Sequence, residues 1–345
     1  MDEEQAGQQR ATVLRFSTRG IAPGDRVTMW EGHNARALIS LDIRTIDESP
    51  MHATESNLQL ASLRLAQVTG TPQIVERSES FIRANPTGVV AVFFALEGEA
   101  FFYHRGGHES LRPGQALVCD ADAPFMRGFS RGLRETVLTI PKELYREITG
   151  SPAPSSPRVF EFGPGAGPRE RALARLLHRT LARVPVAPGA ESSIAAAGTI
   201  ESEAIDLLRL VLGDGHGGAG GYIAAAKEHI ERRLSDPALD VAEISAAVGL
   251  SERQLGRVFA AAGTTVARYL LARRLETAHG YLVSPAHGAL AMSEVAALSG
   301  FASPSHFGKR FREHHGNTPL QVRSATRATF LAEYAKARVV PPTGA

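Results

Sequence analysis

Apolar residues change their spacing along the chain, and the change divides it. Between Ser40 and Ile140 they come in short runs: Leu58-Gln-Leu-Ala-Ser-Leu-Arg-Leu65, Gln73-Ile-Val75, Val89-Val-Ala-Val-Phe-Phe-Ala-Leu96 and Thr136-Val-Leu-Thr-Ile140. Turn-forming residues separate these runs at Gly70, Asn85-Pro86, Gly98, Gly106-Gly107, Pro113-Gly114 and Pro124. That rhythm predicts short antiparallel strands closed into a sandwich or barrel. Further on the spacing becomes three and four. Leu173, Leu176, Leu177 and Leu181 predict a helix over 169–184, and Ile200, Ala204, Leu207, Leu208 and Val211 a second over 194–212. Such helices form either an outer packing layer on the barrel or a dimer contact. The run from Gly213 to Gly221 is mostly glycine and predicts a hinge. From Tyr222 to about Arg327 the pattern is helical throughout.

The fold expected is therefore α+β and multidomain. It comprises a polar arm over 1–20, a barrel domain over 21–150, a helical linker over 151–221, an all-α domain over 222–327 and a tail over 328–345.

Within the all-α region one pattern occurs twice, from Val241 to Phe259 and again from Met292 to Phe311. Each copy reads as a short helix, a turn at glycine and a second helix. Gly249 and Gly300 stand where the chain must stop and reverse, a place for a residue that tolerates positive φ. Ser251 with Gln254 predicts a capping box, and Ser303 followed by Pro304 an N-cap with proline at the first helical position. Leu255, Val258 and Phe259 form the apolar stripe of one second helix, Phe307 and Phe311 that of the other. The opposite faces carry Ser251, Glu252, Arg253, Gln254 and Arg257, or Ser303, Ser305, His306, Lys309 and Arg310.

A helix with one buried stripe and one polar, cationic face suits a major groove. Between the copies, Thr265 to Val283 predicts a connecting helix about 28 Å long at about 1.5 Å per residue. Its Arg268, Arg273 and Arg274 are candidates for phosphate contacts.

Composition sharpens this reading. The 345 residues include 38 Lys and Arg against 36 Asp and Glu, a net charge of +2. Residues 222–327 hold thirteen of the bases and nine of the acids, so basic character gathers where phosphates would be met. The single cysteine, Cys119, excludes an internal disulfide framework and a thiolate-rich zinc site. An acidic N-terminus without an apolar core, and no apolar run of about 18 residues, make a cytoplasmic location the expectation and a membrane partner unexpected.

The stretch from Ala296 to Arg323, with its Ser-Gly-Phe-Ala-Ser-Pro-Ser-His-Phe core, resembles the DNA-binding domain of the AraC/XylS family of bacterial transcription regulators, and the likeness extends over 222–327. Residues 25–140 resemble that family's cupin-like effector or dimerisation domain, through Trp30, the segment Leu63 to Val68 before Arg77, and Leu111 to Phe125. The resemblance implies double-stranded promoter DNA as a partner and a homodimer. It further implies activation through RNA polymerase and a small organic effector in the barrel, with Trp30, Phe93, Phe101 and Tyr103 as candidate lining residues.

Two alternatives stand beside it: a constitutive DNA-binding regulator whose barrel only dimerises, and a metal-dependent cupin enzyme fused to a DNA reader. His33, His52, His104 and His108 lack the spacing of a cupin metal set, and no nucleophile, base and acid recur at a catalytic spacing. No enzyme activity, metal or cofactor is therefore expected.

Overall fold

The computed structural model describes residues 11–46, 50–182, 197–213 and 218–337. The expectations for 1–10 of the arm, 183–184 and 194–196 of the linker helices, 214–217 of the glycine run and 338–345 of the tail lie outside the described residues. The chain divides into two compact units, Met1–Ala225 and Ala226–Ala345.

The first unit begins with β1 (Thr12–Ser17), α1 (Arg26–Ala37), β2 (Asp42–Thr45), β3 (Ala53–Gln59), β4 (Arg64–Gly70), β5 (Gln73–Arg77) and α2 (Glu79–Ala84). It continues with β6 (Val89–Glu97), β7 (Ala100–His104), β8 (Gly107–Leu111), β9 (Gln115–Asp120), β10 (Phe125–Phe129), β11 (Leu133–Pro141), α3 (Lys142–Thr149) and β12 (Arg158–Glu161). Two longer helices follow, α4 (Pro168–Ala182) and α5 (Ala197–Leu212).

The strands form two antiparallel sheets, one ordered β1-β3-β4-β11-β6-β9-β12 and the other β2-β5-β10-β7-β8. Side-chain alternation explains the uninterrupted apolar run at 89–96. On β6, Ala91, Phe93 and Ala95 face the second sheet and join Val75, Phe102 and Phe125 in the core between the sheets. Val90, Val92 and Phe94 face the other way. A strand covered on both faces reads as continuous hydrophobicity rather than alternation.

What covers the second face is α4 and α5. Leu173, Leu176, Leu177, Leu181, Leu207 and Leu208 pack with Leu58, Leu65, Val92 and Leu138 in one core. Of the two roles open to these helices, this apolar stripe serves the outer layer. Glu201 on α5 adds a polar clasp, its carboxylate accepting from the backbone N–H groups of Ala61 (3.1 Å), Ser62 (2.6 Å) and Leu63 (3.0 Å) at the β3–β4 turn.

Three boundary expectations need correction. Residues 12–17, placed in a loose arm, form the edge strand β1 paired with β3 from Thr12 opposite Gln59 to Ser17 opposite Thr54. An edge strand buries so little that its sequence carries no apolar alternation. The glycine run is helical from Ala219, and Gly221 lies where a Cβ would meet the carbonyl of Asp206 and the side chain of Leu210, so at that position glycine permits close approach. Residues 328–337, placed in a tail, continue a helix that starts at Pro319.

The helices of the C-terminal third are α6 (Ala219–Arg233), α7 (Val241–Val248), α8 (Glu252–Ala261), α9 (Val266–Val283), α10 (Met292–Leu298), α11 (Pro304–His315) and α12 (Pro319–Ala337). Gly249 (φ 75°) ends α7, and Gly300 (φ 81°) lies in the turn between α10 and α11. At Gly300 a Cβ would also collide with the carbonyl oxygen of Leu234 and the guanidinium of Arg274, so two requirements select glycine there.

Candidate nucleic-acid interface and ligand chamber

Both second helices of the repeat start as their sequences dictate. The hydroxyl of Ser251 accepts from Gln254 N (3.3 Å), and the Gln254 side chain accepts in return from Ser251 N (2.9 Å). The hydroxyl of Ser303 accepts from His306 N (3.4 Å), with Pro304 in the first turn of the helix. These bonds satisfy amide groups that a helix start leaves open, and so fix where α8 and α11 begin.

Of the inward stripes, Leu255, Phe259 and Phe311 are 0% exposed and Phe307 2%, while Val258 is half-buried. Phe307 and Phe311 pack edge to face, 5.5 Å between ring centroids, and Phe259 meets Tyr269 of α9 at 6.3 Å.

On the outward faces Glu252, Arg253, Gln254 and Arg257 of α8 are exposed, as are Ser305, His306, Lys309 and Arg310 of α11. Among the described residues Arg253, Arg257 and Lys309 have no ion-pair partner, and neither has Arg268 of α9, also exposed. Arg310 differs: it donates to Glu313 (3.0 Å) and to His306 (3.3 Å), so its guanidinium is already engaged along its own helix.

Arg273 and Arg274 do not stand free for phosphate, contrary to expectation. Arg273 donates to Glu231 of α6 (2.6 and 3.1 Å) and pairs with Glu276. The hydrogen bond to Glu231 raises its pKa above the ordinary arginine value. Arg274 donates to the carbonyls of Leu234 (3.2 Å) and Asp236 (2.6 Å), and burial lowers its pKa. Both arginines brace α9 against the end of α6. Periodicity cannot distinguish a bracing arginine from one facing DNA, because each occupies a polar position beside the apolar stripe.

In the first unit the space between the sheets narrows to a cavity of about 30 Å³. Trp30 and Phe93, both named from sequence, line it with Asn34, Phe125, Arg127 and Glu135. Phe101 and Tyr103 do not. They lie on the outer face of β7, Tyr103 47% exposed, while Phe102 between them is buried in the core. The aromatic run was legible, but its register was not, and one residue of register exchanges the faces.

Arg127 is 2% exposed, its guanidinium donating to Glu135 (2.7 and 3.3 Å) and lying over the rings of Phe93 (3.6 Å) and Phe129 (4.9 Å). This group had no sequence signal: an Arg and a Glu eight residues apart, on the successive strands β10 and β11, read as surface.

Beside it lies a buried polar row. His33 donates from Nε2 to Asn57 (3.0 Å), whose amide donates to Glu55. Burial pushes the Glu55 carboxyl up to about 7 and lowers His33. Cys119 is buried with its thiol pushed up to about 12, again by burial, so it stays neutral. Among the described residues no group of three or more His, Cys, Asp and Glu could hold a metal ion. No described helix is long and apolar enough to cross a membrane.

Comparison with known proteins agrees with this division. An AraC-binding-like domain model matches residues 30–212, and a helix–turn–helix domain model matches residues 244–325. The chain is 25% identical to the transcriptional activator NphR of a Rhodococcus species over 325 residues, 89% of this chain and 91% of that protein. Over 106 residues it is 28% identical to the transcriptional activator RhrA of Rhizobium meliloti (strain 1021), 31% of this chain and 33% of that protein. The crystal structure of the AraC-like transcriptional activator CuxR aligns with a TM-score of 0.46 at 20% identity, covering 77% of this chain and 95% of that one.

Proposed function

The chain belongs to the AraC/XylS family of transcription regulators, and we propose that it reads operator DNA through α8 and α11 under the control of a small organic effector held in the N-terminal sandwich. The observation that carries the first half is the pair of exposed arginines on α8, Arg253 and Arg257, without an ion-pair partner among the described residues, on a helix whose start is fixed by a complete capping box.

In this reading Arg253 reaches base edges and Glu252 accepts from a cytosine amine, while Gln254, named with them from sequence, has its side-chain oxygen held by Ser251 in the capping box and sets where the helix begins. Arg257 and Arg268 reach phosphates, which set orientation without reading sequence. On α11 the corresponding groups are Ser305, His306 and Lys309. Ser251 and Ser303 act through their caps, and Arg310 makes the weaker contribution because Glu313 already holds it. The 18 residues of α9 span about 27 Å, short of the roughly 34 Å between successive major grooves, and the remainder lies within the reach of helix ends and side chains.

Activation through RNA polymerase is the favoured sign, since both curated relatives are named activators. A homodimer in the cytoplasm is the working assembly. Effector control is supported by the AraC-binding-like match and by the polar groups enclosed between the sheets. One observation favours constitutive DNA binding as a second reading: the space between the sheets is nearly filled.

Fluorescence anisotropy of the full chain on DNA upstream of its own and neighbouring genes, against scrambled DNA and over a range of salt, tests the DNA reading. Binding should be sequence-dependent, fall steeply with salt, and weaken about 5- to 150-fold in Arg253→Ala, the range of one lost bidentate base contact. Equal affinity for specific and scrambled DNA at every salt concentration overturns it.

A further inference from the structure

Two reading helices carried by one chain must be held at a fixed setting if the protein is to prefer one separation of half-sites. The second unit packs on α9 through Leu275, Ala278, Leu282, Val295, Phe307 and Phe311, so α9 and α11 share a core. The first unit meets α9 through Phe259 and Tyr269, in the first turn of α9. One such contact is a pivot, and a second further along the helix is needed to stop rotation about it.

Arg274 supplies that second contact. It is half-buried, and it donates from Nε to Leu234 O (3.2 Å) and from Nη2 to Asp236 O (2.6 Å), in the loop that joins α6 to α7. Leu234 follows the last residue of α6, where helix carbonyls are left open and the helix dipole favours a cation. The same guanidinium also meets the turn of the second unit. A Cβ on Gly300 would come within 2.7 Å of Arg274 Nε and 3.2 Å of its Cζ, and would collide with Leu234 O. The loop before α7, the middle of α9 and the turn between α10 and α11 therefore converge on one side chain.

The loop is itself tied to the first unit. Asp236 accepts from Ala238 N (2.9 Å) and pairs with Arg233 (2.5 Å). Arg233 pairs with Glu243 of α7 (3.1 Å), which also meets His229 of α6 (3.1 Å). Polar contacts thus run without a break from α7 through Arg233, Asp236 and Arg274 to Gly300.

We propose that Arg274, seated against Gly300, is the positioning residue that fixes α8 and α11 in one relative setting and so selects the separation of half-sites that the protein accepts. This rests on the reading of DNA by both helices and adds what sets the distance between their sites. Arginine suits the task because its planar fork, held on two carbonyls, fixes an orientation, whereas a lysine ammonium fixes only a distance. Orientation matters because one inserted base pair moves a half-site by about 3.4 Å and turns it by about 35°.

The test selects bound DNA with the full chain from duplexes of about 50 base pairs carrying a random core of about 30, long enough for two half-sites one turn apart. Selected duplexes are then compared by fluorescence anisotropy with and without one inserted base pair between the motifs. The wild type should enrich two half-motifs at one separation and bind about tenfold more weakly after the insertion, while Arg274→Met should enrich the same motifs at several separations with a penalty of about twofold or less. Arg274→Lys, which keeps the charge without the fork, should shift in the same direction. It also carries the comparison if the methionine variant yields too little bound DNA to sequence. Arg273→Met, which removes the neighbouring pairs to Glu231 and Glu276, should keep the wild-type separation. Only folded, bound molecules are sequenced, so a variant that partly unfolds lowers the yield without altering the separation recorded.

An insertion penalty that survives in the Arg274 variants overturns the inference and leaves DNA reading standing. Equal broadening in Arg273→Met overturns it as well, since the effect would then be a general loosening of α9. Enrichment of a single half-motif by the wild type also overturns it, because one unit alone would then read and no separation would exist to be set. No enriched motif at all removes the DNA reading itself, and this inference with it.

Discussion

Arg77 and Arg127 of the sandwich are 0% and 2% exposed and are held by carbonyl oxygens, Asp122 and Glu135, whereas Arg253, Arg257 and Arg268 of the helical unit stand in solvent with no ion-pair partner among the described residues. The same side chain thus meets two dielectric environments, and the consequence of removing it differs in kind. Inside, an unpaired charge is costly, so every arginine is tied to a partner and its loss is felt by the fold. Outside, water satisfies the guanidinium, its loss leaves the fold nearly unchanged, and only a polyanionic partner registers it. Arg273 and Arg274 show that the division follows environment rather than domain. They belong to the helical unit but are engaged by Glu231, Glu276 and two carbonyls, in the manner of the sandwich.

The largest effect that would break this contrast is at Arg127. Arg127→Met alone strands Glu135 in the interior and should cost about 3–5 kcal/mol of folding stability by denaturant unfolding, with DNA affinity per folded molecule unchanged. A cost below about 1 kcal/mol would mean that the interior is wetter than its burial indicates.

Next comes Glu55, held near 7 against an ordinary 4.5. The folded state keeps a proton that the unfolded chain releases. Glu55 therefore contributes stability that is complete below about 4.5 and lost as pH rises to about 7, a change of about 3 kcal/mol. His33, lowered by burial, works in the opposite sense below its ordinary value of 6.5. Glu55→Gln should therefore be more stable than the wild type above neutrality, the gap closing near pH 5. A gap independent of pH would place the Glu55 proton elsewhere.

The smallest effect on folding and the clearest on binding is in the reader. Arg253→Ala should change stability by no more than about 0.5 kcal/mol while weakening operator binding by about 1–3 kcal/mol. Arg310→Ala should weaken it less, since Glu313 competes for that guanidinium. Equal losses at the two positions would show that the pair with Glu313 opens on DNA.

Much of this was legible because its causes are local. Helix starts at Ser251 and Ser303 depend on residues three positions away, and the buried stripes of α8 and α11 on a period of 3.6, so both could be read from the chain. The strand β1 was missed because none of its six residues is fully buried, and Val13, Leu14 and Phe16 follow no regular period along it. Phe102 was missed for its neighbours Phe101 and Tyr103 because three successive aromatics carry no mark of which face is inside. The Arg127–Glu135 pair was missed because nothing in its sequence neighbourhood distinguishes a buried ion pair from two surface charges.

The sequence by itself determined the two-part organisation, the doubled helix–turn–helix and the residues on its outward faces, since each rests on periodicity and capping within a single element. Only the tertiary structure decided which charges are free. Whether Arg253 stays in solvent, Arg274 locks onto Leu234, or Arg127 pairs with Glu135 between the sheets depends on groups brought together from elsewhere in the chain, and spacing along one element carries no information about those partners.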